Sequence, residues 1–472
     1  MNKNIKTLFS DTVILGIGTF MSKALVLLLM PLYTSYLTPE MYSTAELISQ
    51  TANLLMPFAM VGIADAVFRF TFEKKYGNES VLSTGFFVLL VGFSVFLALT
   101  PLYTFIPKIG GYSVLLIAYV LAADIHSLTS NYVRAAGKTK LFALQGIINT
   151  VLTIVLNVIF LVAFNMGILG YVLSVIIANM LVTIFLTVVA IPLPQIKLRF
   201  FNKDLAREML KYCIPLIPTT IFWWITNVSD RYIVSMICGD AANGLYAASY
   251  KIPTLLTLAT AVFNEAWQKF AFTEKGRPDN SKSENGNSYY YERVFSLFSN
   301  LIFLACSALI LFAKPAAKIL LSSQYHDAWL YIPVLLVATA FVSLVTFLSS
   351  VYSLKKKTVT SLWTALVGAV LNIVLNLLLI PWIGALGAAV ATMIAYITVF
   401  IIRAQNIKKY LRFRIYSVSF LANVTIILVQ CFITTYFSEP MYIAQGVLFL
   451  CMMSYTVPKG ISVIKGFISD KN

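Results

Sequence analysis

Stretches long enough to cross a bilayer as a helix, about 20 residues each, recur from one end of this sequence to the other with almost no charge in them. Nothing constrains the fold more. Inside hydrocarbon a backbone N–H or C=O finds no water, so such a run closes its hydrogen bonds on itself as a helix. The runs fall near 11–36, 42–70, 81–104, 111–133, 141–164 and 168–192. A basic link, IKLRFFNKDLAREMLK, follows. Further runs fall near 209–238, 243–272, 290–313, 328–353, 359–381, 385–405, 415–436 and 441–463. The expectation is an all-α membrane protein of about 14 transmembrane helices with both termini on one side. Runs near 30 residues predict tilt or extension beyond the bilayer. The first run is too long for a cleaved signal peptide and lacks a small-residue cleavage site, so it should stay as the first span.

Composition agrees with this class. Only 11% of the 472 residues are charged and mean hydropathy is +0.83, whereas a soluble domain would carry roughly twice that charged share. Five cysteines are scattered through apolar segments without ligand spacing and read as small buried hydrophobes. With the N-terminus placed inside, 27 of the 35 basic residues fall in inner connections, in tails or at the inner rims of spans. Three fall outside (Lys108, Lys314, Lys318) and five inside spans (Lys23, Arg69, Arg231, Lys251, Lys269). That asymmetry places both termini in the cytoplasm. The net charge of +16 is then topological signal and headgroup contact rather than a nucleic-acid surface.

The chain also repeats itself. Residues 65–72 read DAVFRFTF and residues 265–272 read EAWQKFAF, each with an acid and a base four positions apart. On a helix that spacing stacks both charges on one face. Further on, IVLN ends at Asn157 and again at Asn376, and GILG at 167–170 is matched by GALG at 384–387. Spans 2, 5 and 6 thus match spans 8, 11 and 12. Six is even, so the copies enter the membrane in the same sense, as a parallel repeat of the transporter kind. The organisation expected is an N-lobe over 1–200, a C-lobe over 201–412 and two further spans over 413–472.

Enzyme chemistry finds little footing. There is no P-loop, no HExxH, no GxSxG and no acid pair in a long outer loop, and only two histidines are present. No catalytic residue, metal site or cofactor is expected. An integral-membrane glycosyltransferase or polymerase would need a larger outer loop than this chain offers.

Several pieces carry a family resemblance: MPLYTSYLTPEMYSTAEL over 30–47, DRYIVSMICGDAANGLYAASYKI over 230–252, and the two G-x-L-G turns. The chain resembles the Wzx-type oligosaccharide flippases, the polysaccharide-biosynthesis branch of the superfamily that also holds multidrug exporters of the MATE type and lipid II flippases. Ser43 stands where this branch often has glycine, while the second copy keeps Gly244. The resemblance implies two six-helix repeats around a central cavity, alternating access, and a polyprenyl-diphosphate-linked oligosaccharide moved to the outer leaflet. It further implies a bacterial cytoplasmic membrane, surrounding lipids and glycan-assembly proteins as partners. A drug/cation antiporter of the same fold is the main alternative; its cationic cargo would ask for an acidic pocket.

A diphosphate crossing an apolar slab is helped by basic side chains along its path. Lys23, in mid-span with no acid within a turn, is the first candidate for that role, against snorkelling or a hidden ion pair. Arg231 and Lys251 are the others, Lys251 matching the basic position of the family's Y-x-x-x-Y-K-I stretch. Asp65 with Arg69, and Glu265 with Lys269, read either as local i,i+4 pairs or as an inner latch that trades partners between repeats. Asp124 and His126 read as polar contacts between helices or as a proton relay. Asp230 reads as half of an interhelical ion pair or as a coupling acid. Glu46 either neutralises Lys23 or binds a coupling cation. With no nucleotide site in the sequence, a monovalent cation or a proton is the expected source of coupling.

Overall fold

The structure, a computed structural model, describes residues 27–73, 75–101, 110–191, 196–272, 284–354, 358–411, 413–437 and 441–469. Lys23 lies outside these residues. Every regular element among them is helical. Contacts divide the chain into two compact units, residues 1–228 and 229–472.

The N-terminal unit opens with a short α1 (Met30–Tyr36) and continues through α2 (Pro39–Ala59), α3 (Ile63–Glu73) and α4 (Asn78–Ala98). Then come α5 (Ser113–Ala135), α6 (Thr139–Asn157), α7 (Gly167–Ala190) and an amphipathic α8 (Lys203–Cys213). Thr38 caps α2, its side chain accepting from the Met41 N–H, and Pro39 fits the first turn, where no N–H is needed. The helix then breaks. Val61 and Gly62 both take positive φ, 54° and 66°, a conformation costly for a β-branched side chain. The chain resumes as α3 at 55° to α2. A Cβ on Gly92 of α4 would lie 2.5 Å from the Ala59 carbonyl oxygen, so these helices meet at backbone distance just before the break. Behind it Ile63, Val67, Leu82, Leu89, Leu128, Val182 and Leu186 form the buried core of the unit.

From Ile217 to Cys238 runs α9, which crosses the division between the units. The C-terminal unit continues through α10 (Asp240–Ser249), α11 (Thr254–Phe272), α12 (Glu284–Leu311) and α13 (Ala313–Leu320). It ends with α14 (Ile332–Leu354), α15 (Thr358–Ile383), α16 (Ala385–Ile407), α17 (Val418–Tyr436) and α18 (Tyr442–Ser469). In α14, 78% of the apolar window is buried, against 11% in α18. The first is therefore the core of the unit and the second a peripheral helix. Rings of Trp267, Phe298 and Phe347 stack around α14, with centroids 5.0 Å apart for Trp267–Phe347 and 5.6 Å for Phe298–Phe347.

Arg403 holds three of these helices together. Its Nε donates to Thr364 Oγ1 at 2.9 Å, Nη1 to the Val345 carbonyl at 3.1 Å and to Ser349 Oγ, and Nη2 to the Ser361 carbonyl at 3.2 Å. It is 5% exposed, with main-chain carbonyls and hydroxyls as its hydrogen-bond acceptors.

Among the described residues, ten helices are long and apolar enough to cross a membrane, or eleven when α2 and α3 count as one bent span. Three other expected spans remain. Most of the first lies outside the described residues, and the other two have physical reasons for standing apart. The seventh, α9, carries Asp230 and Arg231. The eighth is split at 250–253, where Pro253 lies between α10 and α11.

Candidate functional site

Asp230 is 1% exposed within the C-terminal unit. A carboxylate this deep is costly unless donors surround it, and α10, α16 and its own backbone supply them. Oδ2 accepts hydrogen bonds from Tyr246 Oη and Tyr250 Oη, both at 2.7 Å, and from Thr392 Oγ1 at 3.4 Å. Oδ1 accepts the Arg231 main-chain N–H at 2.8 Å. The network runs on into α15, where Asn372 Nδ2 donates to Thr392 Oγ1 at 3.1 Å and Asn376 Nδ2 to Asn372 Oδ1 at 3.0 Å. It ends at Asn376 Oδ1, a buried acceptor with no hydrogen-bond partner among the described residues. The cage thus offers one negative charge and several neutral oxygens, the donor set of a hard cation.

Helical spacing places this chemistry. Tyr246 on α10 and Tyr250 at its C-terminal cap, one turn apart, reach the same carboxylate oxygen just before the break in the eighth span, their rings edge to face at 5.2 Å. Arg231, 8% exposed, lays its guanidinium 4.9 Å above the Tyr250 ring. Lys251, in the break itself, is half-buried, and its N–H bonds to the Ala248 carbonyl. Asp230 and Arg231, adjacent in sequence, therefore meet one tyrosine from two sides.

The N-terminal unit holds a second buried acid cluster. Glu46, 3% exposed, accepts from Gln50 Nε2 at 3.0 Å and Tyr171 Oη at 3.4 Å. The Tyr33 ring packs 4.8 Å from Tyr171. Asp124 is fully buried on α5. His126 bonds to Gln145 at 2.9 Å, the helix-to-helix contact expected of it. Asn157 and Asn376, the repeat markers, both bury an Oδ1 without a partner among the described residues. Asn157 lies where α6 gives way to a π-helical stretch, Val158–Ala163.

The expected local pair of Asp65 with Arg69 is corrected. Arg69 Nε meets Glu73 at 2.8 Å, one turn further on, and its guanidinium stacks 4.5 Å over Tyr212. Both acids lie four residues from Arg69, and the structure pairs it with Glu73 rather than Asp65. Asp65 instead lines a cavity. The side chains of Glu265 and Lys269 lie outside the described part of α11.

Sequence reasoning found Asp230, Arg231, Lys251, Glu46 and Asp124 from charge in apolar runs. It gave no role to Tyr246 and Tyr250, the tyrosines of the Y-x-x-x-Y-K-I stretch, nor to Asn372 and Thr392, whose types are ordinary in a membrane helix. The spacing of Tyr246 and Tyr250, one turn apart, was the available signal.

A model of the polysaccharide biosynthesis proteins matches residues 8–267 of this chain. An uncharacterized membrane protein of Methanocaldococcus jannaschii is 23% identical over 421 residues, covering 84% of this chain and 97% of that protein. Among solved structures the fold is similar to the lipid II flippase MurJ in an inward closed conformation, with TM-score 0.70 and 17% identity over 97% of this chain and 99% of that one. It is also similar to an inward-facing multidrug resistance MATE family transporter of the MOP superfamily, with TM-score 0.65 and 16% identity over 82% of this chain and 95% of that one. The fold is of the MOP type.

Proposed function

The chain belongs to the family of polysaccharide biosynthesis proteins, and on that premise we propose that it is a flippase carrying a polyprenyl-diphosphate-linked oligosaccharide from the cytoplasmic to the outer leaflet. The family match and a multi-pass helical fold agree with a transporter. What favours a flippase over a drug antiporter is the extent of the likeness. The lipid II flippase covers 97% of this chain, inward- and outward-facing MATE transporters 82% and 89%. In this reading the protein has fourteen spans with both ends in the cytoplasm, works by alternating access in a cytoplasmic membrane, and serves cell-surface glycan synthesis. Arg231 and Lys251 are the bases proposed to meet the diphosphate in the C-terminal unit, and Lys23 of the first span is proposed as a further base on its path.

Coupling is assigned to the Asp230 cage. A monovalent cation would sit between the Asp230 carboxylate and the Asn376 Oδ1 acceptor, with Asn372 and Thr392 oxygens turned toward it. Its charge would release the two tyrosine hydroxyls from Asp230, and one of these rings carries Arg231. Cation binding and the position of a cargo-facing base are thereby linked through Tyr250.

Ligand-dependent thermal stabilisation of the purified protein tests the cargo class. A polyprenyl-diphosphate disaccharide is expected to raise Tm, and cationic dyes to leave it unmoved. Stabilisation by the dyes alone would transfer the chain to the antiporters.

A further inference from the structure

Asp124 stands out among the acids of the N-terminal unit. It is 0% exposed, and both carboxyl oxygens are without a hydrogen-bond partner among the described residues. A bare carboxylate there would face low dielectric with no partner among the described residues to offset its charge, and in such a setting an acid keeps its proton. Ser127, one turn along the same face of α5, opens onto a cavity of about 180 Å³, room for several waters. The cavity is also lined by Asp65 and by Met60 and Gly62 of the break between α2 and α3. The break between α2 and α3 thus borders the cavity, and the unpartnered acid lies one turn of α5 from Ser127 in its wall.

The groups on the elements packed against α5 are otherwise engaged or stand at helix ends. Glu46 of α2 bonds to Gln50 and Tyr171, and Tyr119 on α5 itself reaches Ser49. Arg69 of α3 pairs with Glu73, and His126 bonds to Gln145 of α6. Arg134, at the last turn of α5, lies over the Phe68 and Phe142 rings. Glu40, Glu79 and Lys140 sit in the first turns of α2, α4 and α6. None of these is a hydrogen-bond partner of Asp124.

We propose that Asp124 is a proton-carrying carboxyl of the N-terminal unit, exchanging its proton with water of the cavity beside Ser127 and Asp65. In the exchange the O–H bond at an Asp124 oxygen breaks and the proton passes to cavity water, leaving a carboxylate. The reverse step takes a proton from the same water. The site is separate from the cation cage at Asp230, and the proposal holds whatever cargo the protein carries.

Infrared spectroscopy of the purified full-length protein in lipid nanodiscs tests it without any cargo. The expected result is a carboxylic C=O band at the high-frequency end of its range, as for an acid without hydrogen bonds. The band should shift in heavy water, fade as the buffer is made alkaline, and be lost in Asp124→Asn. Should that variant fail to fold, Asp124→Glu should keep a displaced band, and Ser127→Val should slow the heavy-water shift severalfold while leaving the band in place. A wild-type carboxylate signature at neutral pH, as an ion pair with Lys23 would give, overturns the proposal. So does a band that neither exchanges nor titrates, or one that survives in Asp124→Asn.

Discussion

Asp230 carries the only formal negative charge in the cage that it shares with Tyr246, Tyr250, Thr392 and the two α15 asparagines, and its replacement separates a cation site from a packing cluster. Wild-type protein is expected to gain stability with added sodium, by about 2.7 kcal/mol at a concentration roughly a hundredfold above Kd. In Asp230→Asn that salt-specific gain should vanish while the fold persists, as read by melting curves in sodium against choline chloride. Tyr250→Phe leaves the ring under Arg231 but removes one of the donors to the buried carboxylate. It should cost about 1–2 kcal/mol without sodium and enlarge the sodium effect, because the cation no longer has that hydroxyl to displace from the carboxylate. Charge was the part of this site that the sequence made legible, because an acid in an apolar run is conspicuous. Its partners were not, because a tyrosine or threonine becomes a ligand only through the helix that faces it. The same holds for Arg403. Its charge is plain in the sequence, and only packing reveals a buried guanidinium.

Helices explain where the chain departs from a simple count of apolar runs. Two breaks do most of it, at 60–62 and 250–253. Pro253 marks the second in the sequence. The first has only Gly62 and the preceding Pro57 to announce it, and the cost of positive φ at Val61 is paid by the close contact of α4 with α2. Val61→Gly should therefore raise stability, by about 1 kcal/mol. Gly92→Ala should lower it by about 1–3 kcal/mol, because the added methyl meets a main-chain carbonyl rather than a side chain that can turn away. Arg403→Ala unfastens α14, α15 and α16 together and leaves several buried acceptors open, a loss of about 3 kcal/mol. Thermal melts of the three variants in one detergent decide the order. Equal effects at all three sites would contradict the assignment of strain to the break and of fastening to Arg403.

For the whole molecule, the internal repeat and the succession of apolar runs were readable from residue order alone, since both are properties of spacing. The cargo was not, since it depends on which bases are brought to one surface. The most direct measurement is translocation itself. Purified protein is reconstituted into sealed liposomes carrying a fluorescent polyprenyl-diphosphate-linked disaccharide, and label reaching the outer leaflet is quenched by an impermeant reductant. Flipping that requires the protein, is driven by an imposed sodium gradient and is lost in Asp230→Asn is the predicted result. An inert sugar-lipid, together with gradient-driven movement of a cationic dye in the same vesicles, would contradict it.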